Sequence, residues 1–197
     1  MDVNKLKFLG VEGLFISNKN KKFFSINDCQ ESSIEKLSFI QGPINSEIFF
    51  IAQSSNNDEC LLDIPYQEQN ETRKLYLKIL KAMNLSFDKV STVDFVELAK
   101  MSDTQKSSQN LSTSVLNINE YIQTTRPKVV VCLGLTSAIN ILKTDKKLKD
   151  LRCKFYDKFN TRFLITYHPA ALLKDNRKKK LVWDDLQMVM KEINNFE

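Results

Sequence analysis

The sequence predicts a three-layer α/β/α domain around a central parallel sheet of four strands, and three observations lead there. Four short apolar runs, at 47–53, 89–95, 128–134 and 162–167, alternate with stretches whose apolar residues recur at helical spacing. Two of the runs, Val129-Val130-Val131-Cys132-Leu133 and Phe163-Leu164-Ile165, have no polar residue to place on a solvent face, as expected of strands covered on both sides. The intervening segments are long enough for helical crossovers, which return each strand parallel to the last.

Taken in order, residues 1–45 stand apart from this alternation. Leu14-Phe15-Ile16 and Phe23-Phe24-Ser25-Ile26, separated by the polar stretch 17–22, predict a small hairpin preceded by an apolar segment. The domain proper is expected over 46–197. Glu47 to Gln53 is the first buried strand, and Thr72 to Met83 follows as a helix carrying Tyr76, Ile79, Leu80 and Met83. Lys89 to Phe95 is the second strand, ending near Val96; Ser102 to Asn110 is a polar loop. A helix over 113–124 presents Val115, Leu116, Ile118, Tyr121 and Ile122. Pro127 introduces the third strand, which Gly134 ends. Thr136 is the expected cap of a helix to about Leu142 with Ala138, Ile139 and Leu142 inward. After the fourth strand, Arg162 to Tyr167, a last helix from about Asn176 sets Val182, Leu186, Val189, Met190 and Ile193 on one face. Trp183 is expected to anchor that helix in the core.

Composition narrows the function classes. The chain has 197 residues and 42% hydrophobic content, enough for one full core. No apolar run approaches the roughly 20 residues of a membrane helix. The N-terminal residues Met1 to Leu6 lack the charged-then-apolar layout of a secretory signal, so a cytoplasmic location and no membrane partner are expected. Cys29, Cys60, Cys132 and Cys153 are scattered without a C-x-x-C pair, which points to free thiols rather than a metal or cluster site. No cofactor is expected. The net charge of +5 is uneven: residues from Arg126 onward carry 16 Lys/Arg against 8 Asp/Glu, whereas the first 125 carry 13 against 16. Lys174, Arg177, Lys178, Lys179 and Lys180 form the densest basic stretch, a candidate for weak contact with a phosphate backbone. A solvated lysine-rich surface is the simpler reading of the same residues.

The most informative segment is Phe163-Leu164-Ile165-Thr166-Tyr167-His168-Pro169-Ala170-Ala171-Leu172-Leu173. Proline disfavours helical geometry at the residue before it, so the strand must end and turn at His168. That residue is the chain's sole histidine. In parallel sheets ligands gather at the carboxyl ends of strands, and Gln53, Asp94, Gly134 and His168 all fall near those ends.

With Arg126-Pro127 leading into the third strand, Leu133-Gly134 closing it, and Leu181-Val182-Trp183-Asp184-Asp185-Leu186 following, this segment resembles the closing motifs of the uracil-DNA glycosylase superfamily, especially its family 4. The resemblance covers about the last 70 residues. It implies an α/β/α glycosylase-like fold in which the histidine stabilises charge on an expelled base. The front half departs from the family pattern. The first strand leads into Ala52-Gln53-Ser54-Ser55-Asn56-Asn57-Asp58-Glu59-Cys60, no glycine occurs in 43–133, and no Pro-Phe pair follows. Thr92-Val93-Asp94 stands where the family supplies an asparagine, and the cluster cysteines are missing. Asp58 or Glu59 is a candidate displaced water activator; solvated loop acids are the plainer reading.

A second resemblance fits these departures. Leu6-Lys7-Phe8-Leu9-Gly10-Val11-Glu12-Gly13-Leu14-Phe15 is similar to the opening of the psi-subunit family of bacterial DNA polymerase III, a glycosylase-like domain without the activity. Residues 77–90 resemble its helix-to-strand passage, and 169–176 with Trp183 its closing segment. The resemblance implies a DNA replication accessory protein whose partners are the clamp-loader ATPase subunits and the chi subunit. Leu6, Leu9, Leu14 and Phe15 would be the partner-binding residues, with 1–45 as a docking region; packing of that segment on its own domain is the alternative. The competing expectation is a diverged glycosylase cleaving the N-glycosidic bond of a damaged base, with His168 as its catalytic residue.

Overall fold

The computed structural model describes residues 40–43, 45–62, 70–95 and 118–194. The expected hairpin and the residues Leu6, Leu9, Leu14 and Phe15 lie outside them, as do Cys29 and the loop over 102–110.

The sheet has six strands and is mixed, not the expected four-stranded parallel one. In chain order the strands are β1 (Ile40–Gln41), β2 (Ile48–Ala52), β3 (Ser91–Asp94), β4 (Val129–Leu133), β5 (Phe155–Lys158) and β6 (Thr161–Thr166). Their spatial order is β1-β3-β2-β4-β6-β5. The inner four, β3, β2, β4 and β6, pair in parallel. β1 and β5 add antiparallel edges against β3 and β6. β5 joins β6 through Phe159 and Asn160, both at positive φ (56° and 57°). That two-residue turn suits the strands' twist, but Phe-Asn lacks the glycine that usually announces it.

The helices are α1 (Glu71–Ala82), α2 (the described helical residues 118–125), α3 (Leu135–Leu142), α4 (Leu148–Leu151), α5 (Pro169–Lys174) and α6 (Lys178–Asn194). They cover both faces, and alternation along β2 shows how. Ile48, Phe50 and Ala52 meet Tyr76 and Leu80 of α1 with Val182, Leu186 and Val189 of α6. Phe49 and Ile51 face the opposite layer, with Ile118 and Ile122 of α2 and Ala138 and Ile141 of α3. All five β2 side chains are therefore buried. Burying each of the Ile and Phe side chains in this way stabilises the fold by about 1.5–3 kcal/mol.

Local chemistry sets the helix ends. Asn70 caps α1 by accepting from Arg73 N, and its amide donates to Cys60 O at 2.7 Å, fastening the helix to the loop after β2. α3 starts from Gly134 with no side-chain cap; Thr136, the expected cap, lies inside the helix. Its buried face is Ser137, Ala138 and Ile141, so Ile139 is turned outward and 39% exposed. Trp183 is also corrected: it is 36% exposed rather than buried in the core. Among the described residues no helix is long and apolar enough to cross a membrane.

Candidate functional site

The four inner strands end side by side at Ala52, Asp94, Leu133 and Thr166, and the residues just beyond converge there. Asp94 closes β3 with its carboxylate only 2% exposed. Ser54 N donates to its Oδ1 at 2.8 Å. Leu61 N donates to its Oδ2 at 2.8 Å, and the Ser54 hydroxyl lies 2.6 Å from the same oxygen. One side chain thus holds both ends of the 54–61 loop against the strand ends.

His168 caps α5. Its Nδ1 accepts from Ala170 N at 3.2 Å, so in the neutral ring Nε2 carries the proton. Nε2 lies 3.4 Å from Ser54 Oγ, which places the serine between imidazole and carboxylate. Ser54 Oγ is also 2.9 Å from Glu59 O, giving its single proton two acceptors. Protonating Asp94 would resolve that shortage, because Asp94 could then donate to Ser54 and Ser54 to Glu59. Burial pushes the Asp94 pKa up, against the hydrogen bonds from Ser54 and Leu61 and the nearby His168, which pull it down. Burial likewise lowers the His168 pKa, opposed by the charges of Asp94 and Glu59. Both residues are driven towards their neutral forms.

Other groups fix this arrangement. Gln53 Oε1 accepts from Asn140 Nδ2 of α3 at 2.6 Å. Gly134 has φ +98°, and a Cβ there would stand 3.3 Å from His168 Cβ. Glycine therefore lets the end of β4 lie against the histidine. On the far side, Asp185 of α6 is fully buried and accepts from Thr166 Oγ1 at 2.5 Å and from Arg152 Nε at 2.7 Å. Cys153 Sγ also contacts Asp185, at 3.3 Å. Arg152 stands over the Tyr167 ring at 4.9 Å, and Lys178 Nζ at 5.4 Å from the same centroid. The residues on both sides of the strand-to-His168 turn are thereby held in place.

Of the residues expected here from sequence, Asp94 and His168 are joined through Ser54 and Gly134 lies against His168, while Gln53 turns to Asn140 of α3. Glu59 instead pairs with Lys174 at 2.8 Å, and that hydrogen bond, foremost, lowers its pKa against desolvation. Asp58 is exposed. In the basic stretch, Arg177 and Lys178 share Asp175, which leaves Lys179 and Lys180 exposed on α6 without an ion pair among the described residues. Ser54, Arg152 and Asp185 were missed. Asp185 interrupts the apolar face begun by Val182, and a polar residue at a core position was the available signal. Among the described residues no group of three or more His, Cys, Asp or Glu is placed to hold a metal ion, and Cys60, Cys132 and Cys153 are free thiols.

Residues 39–187 match the model of the uracil DNA glycosylase superfamily. The chain belongs to that superfamily. No curated protein matches it. The match to the uracil-DNA glycosylase superfamily therefore extends across the front half of the domain, including the Asp94-anchored 54–61 segment. Its sole histidine sits at the carboxyl ends of the superfamily domain's parallel strands, facing a serine.

Proposed function

We propose that this superfamily member is a non-catalytic DNA replication accessory protein, similar in role to the polymerase III psi subunit. One observation carries the loss of catalysis: Ser54 lies between Asp94 and His168, and Asp94 accepts three hydrogen bonds from Ser54 and Leu61. Base excision needs a pocket for the flipped base and a polar group free to direct water. Here the Asp94 carboxylate at the strand ends is turned into the protein, and the imidazole already has a partner. The replication role rests on the resemblance of residues 6–15 and 77–90. On that reading the clamp-loader ATPase subunits and chi are the partners.

Two experiments test the proposal. Uracil- and hypoxanthine-containing oligonucleotides, single- and double-stranded, should remain uncleaved at enzyme excess; excision that disappears in His168→Ala would overturn it. Replacing Leu14 and Phe15 with alanine should abolish clamp-loader binding at an almost unchanged Tm, since each anchor contributes about 2 kcal/mol or more to such an interface. A variant that unfolds, as core truncations of about 2–5 kcal/mol would cause, makes the segment structural instead.

A diverged glycosylase is the second reading, and the state of His168 favours it. Burial lowers the His168 pKa and the Ala170 amide donates to Nδ1, so in the neutral ring Nε2–H is the donor. A base oxygen could take the place of the Ser54 hydroxyl if the 54–61 loop moved aside.

A further inference from the structure

Away from the strand ends, α1, α5 and α6 enclose an open groove of about 210 Å³. Its apolar lining includes Leu75 and Ile79 of α1, Leu172 of α5 and Trp183 of α6. Lys78 and Lys179 supply a cation from each of the two longer walls, and the lining contains no acid. Both lysines are exposed, and neither is in an ion pair among the described residues. Asp184, next to Trp183, is not part of the lining.

Three features identify the occupant. The volume falls below the roughly 300–1,000 Å³ of small-molecule pockets, so it suits one or two anchoring side chains rather than a whole ligand. A groove between helices accepts an amphipathic helix laid along it. Its charge is purely positive, and an apolar floor offers nothing to a phosphate backbone, so the complementary surface is apolar with carboxylates at its edges. We propose that this groove is the docking site for an acidic amphipathic helix of a partner protein. The proposal concerns a surface separate from His168 and stands whether or not the strand-end site acts on a base.

Trp183 is the only tryptophan in the chain and lines the groove, so its emission reports occupancy directly. The probe is a synthetic peptide of about five helical turns, with leucine at i, i+3, i+4 and i+7 and glutamate elsewhere. Titrated into the full-length protein, it should give a saturable blue shift. The double variant Lys78→Glu/Lys179→Glu should keep its Tm and bind at least about tenfold more weakly, because like charges would then face each other. A matched peptide carrying lysine for glutamate should reverse that preference. No shift, or equal responses to the two peptides, would overturn the proposal. So would a shift that follows protein concentration alone, which would mark a second copy as the occupant. A shift produced by a single-stranded oligonucleotide that the peptide cannot displace would assign the face to nucleic acid instead.

Discussion

Asp94, linked to His168 through Ser54, and Asp185, bonded to Thr166 two residues before that histidine, are both buried, and they are satisfied in different ways. Asp185 faces a guanidinium whose side chain is 8% exposed, together with the Thr166 hydroxyl and the Cys153 thiol. Among the described residues no cation pairs with Asp94; two backbone N–H groups and a hydroxyl donate to it. Burial pushes the Asp94 pKa up, and the hydrogen bonds from Ser54 and Leu61 offset that only in part. The contrast separates two jobs. Asp185 fastens α6 and the Arg152 segment to the end of β6, and Asp94 folds the 54–61 loop onto the sheet and, through Ser54, against the imidazole.

Breaking the ion pair should have the largest effect. Asp185→Ala leaves the Arg152 guanidinium buried without its partner and should cost about 3–5 kcal/mol in urea unfolding. A loss below about 1 kcal/mol would mean that the pair is screened like a surface bridge. Asp94→Asn should cost less, about 1–3 kcal/mol, because the amide nitrogen must face a donor. Hydrogen exchange should then speed up at the Ser54 and Leu61 amides. Unchanged protection there would show that the loop does not depend on the carboxylate.

The smallest effect is the pH dependence that His168 contributes. Its pKa is lowered in the folded protein, so between that value and about 6.5 the unfolded chain binds more protons than the native state. Its contribution to stability is therefore full above about pH 6.5 and is lost as pH falls through that window. The raised pKa of Asp94 acts in the opposite direction, favouring the native state as pH falls. The informative quantity is thus the difference between wild type and His168→Gln: the wild type should lose more stability from pH 7.5 to 5.5. Parallel curves for the two proteins would contradict it.

Much of this frame was legible in the chain. β2, β4 and the centre of β6, Phe163-Leu164-Ile165, are continuous apolar runs because helices cover both faces of the sheet, and His-Pro ends β6 where proline sterics require. β5 was not read because Phe155-Tyr156-Asp157-Lys158 only weakly alternates and its turn lacks glycine. Trp183, expected in the core, follows the buried Val182, and one residue along a helix is a rotation of about 100°, enough to leave it partly exposed at the groove.

The sequence by itself determined the alternation of strands and helices, the strand ends at which Gln53, Asp94, Gly134 and His168 fall, and the positive charge of the C-terminal part. Those properties are periodic or local, so neighbours in the chain are enough to reveal them. Only the tertiary structure decided that Ser54 lies against a histidine 114 positions away, that Asp185 meets Arg152 33 positions earlier, and that Lys78 and Lys179 face one groove. These pairings depend on strand order, register and helix rotation, and a hydrogen bond tolerates errors of only a few tenths of an ångström in them.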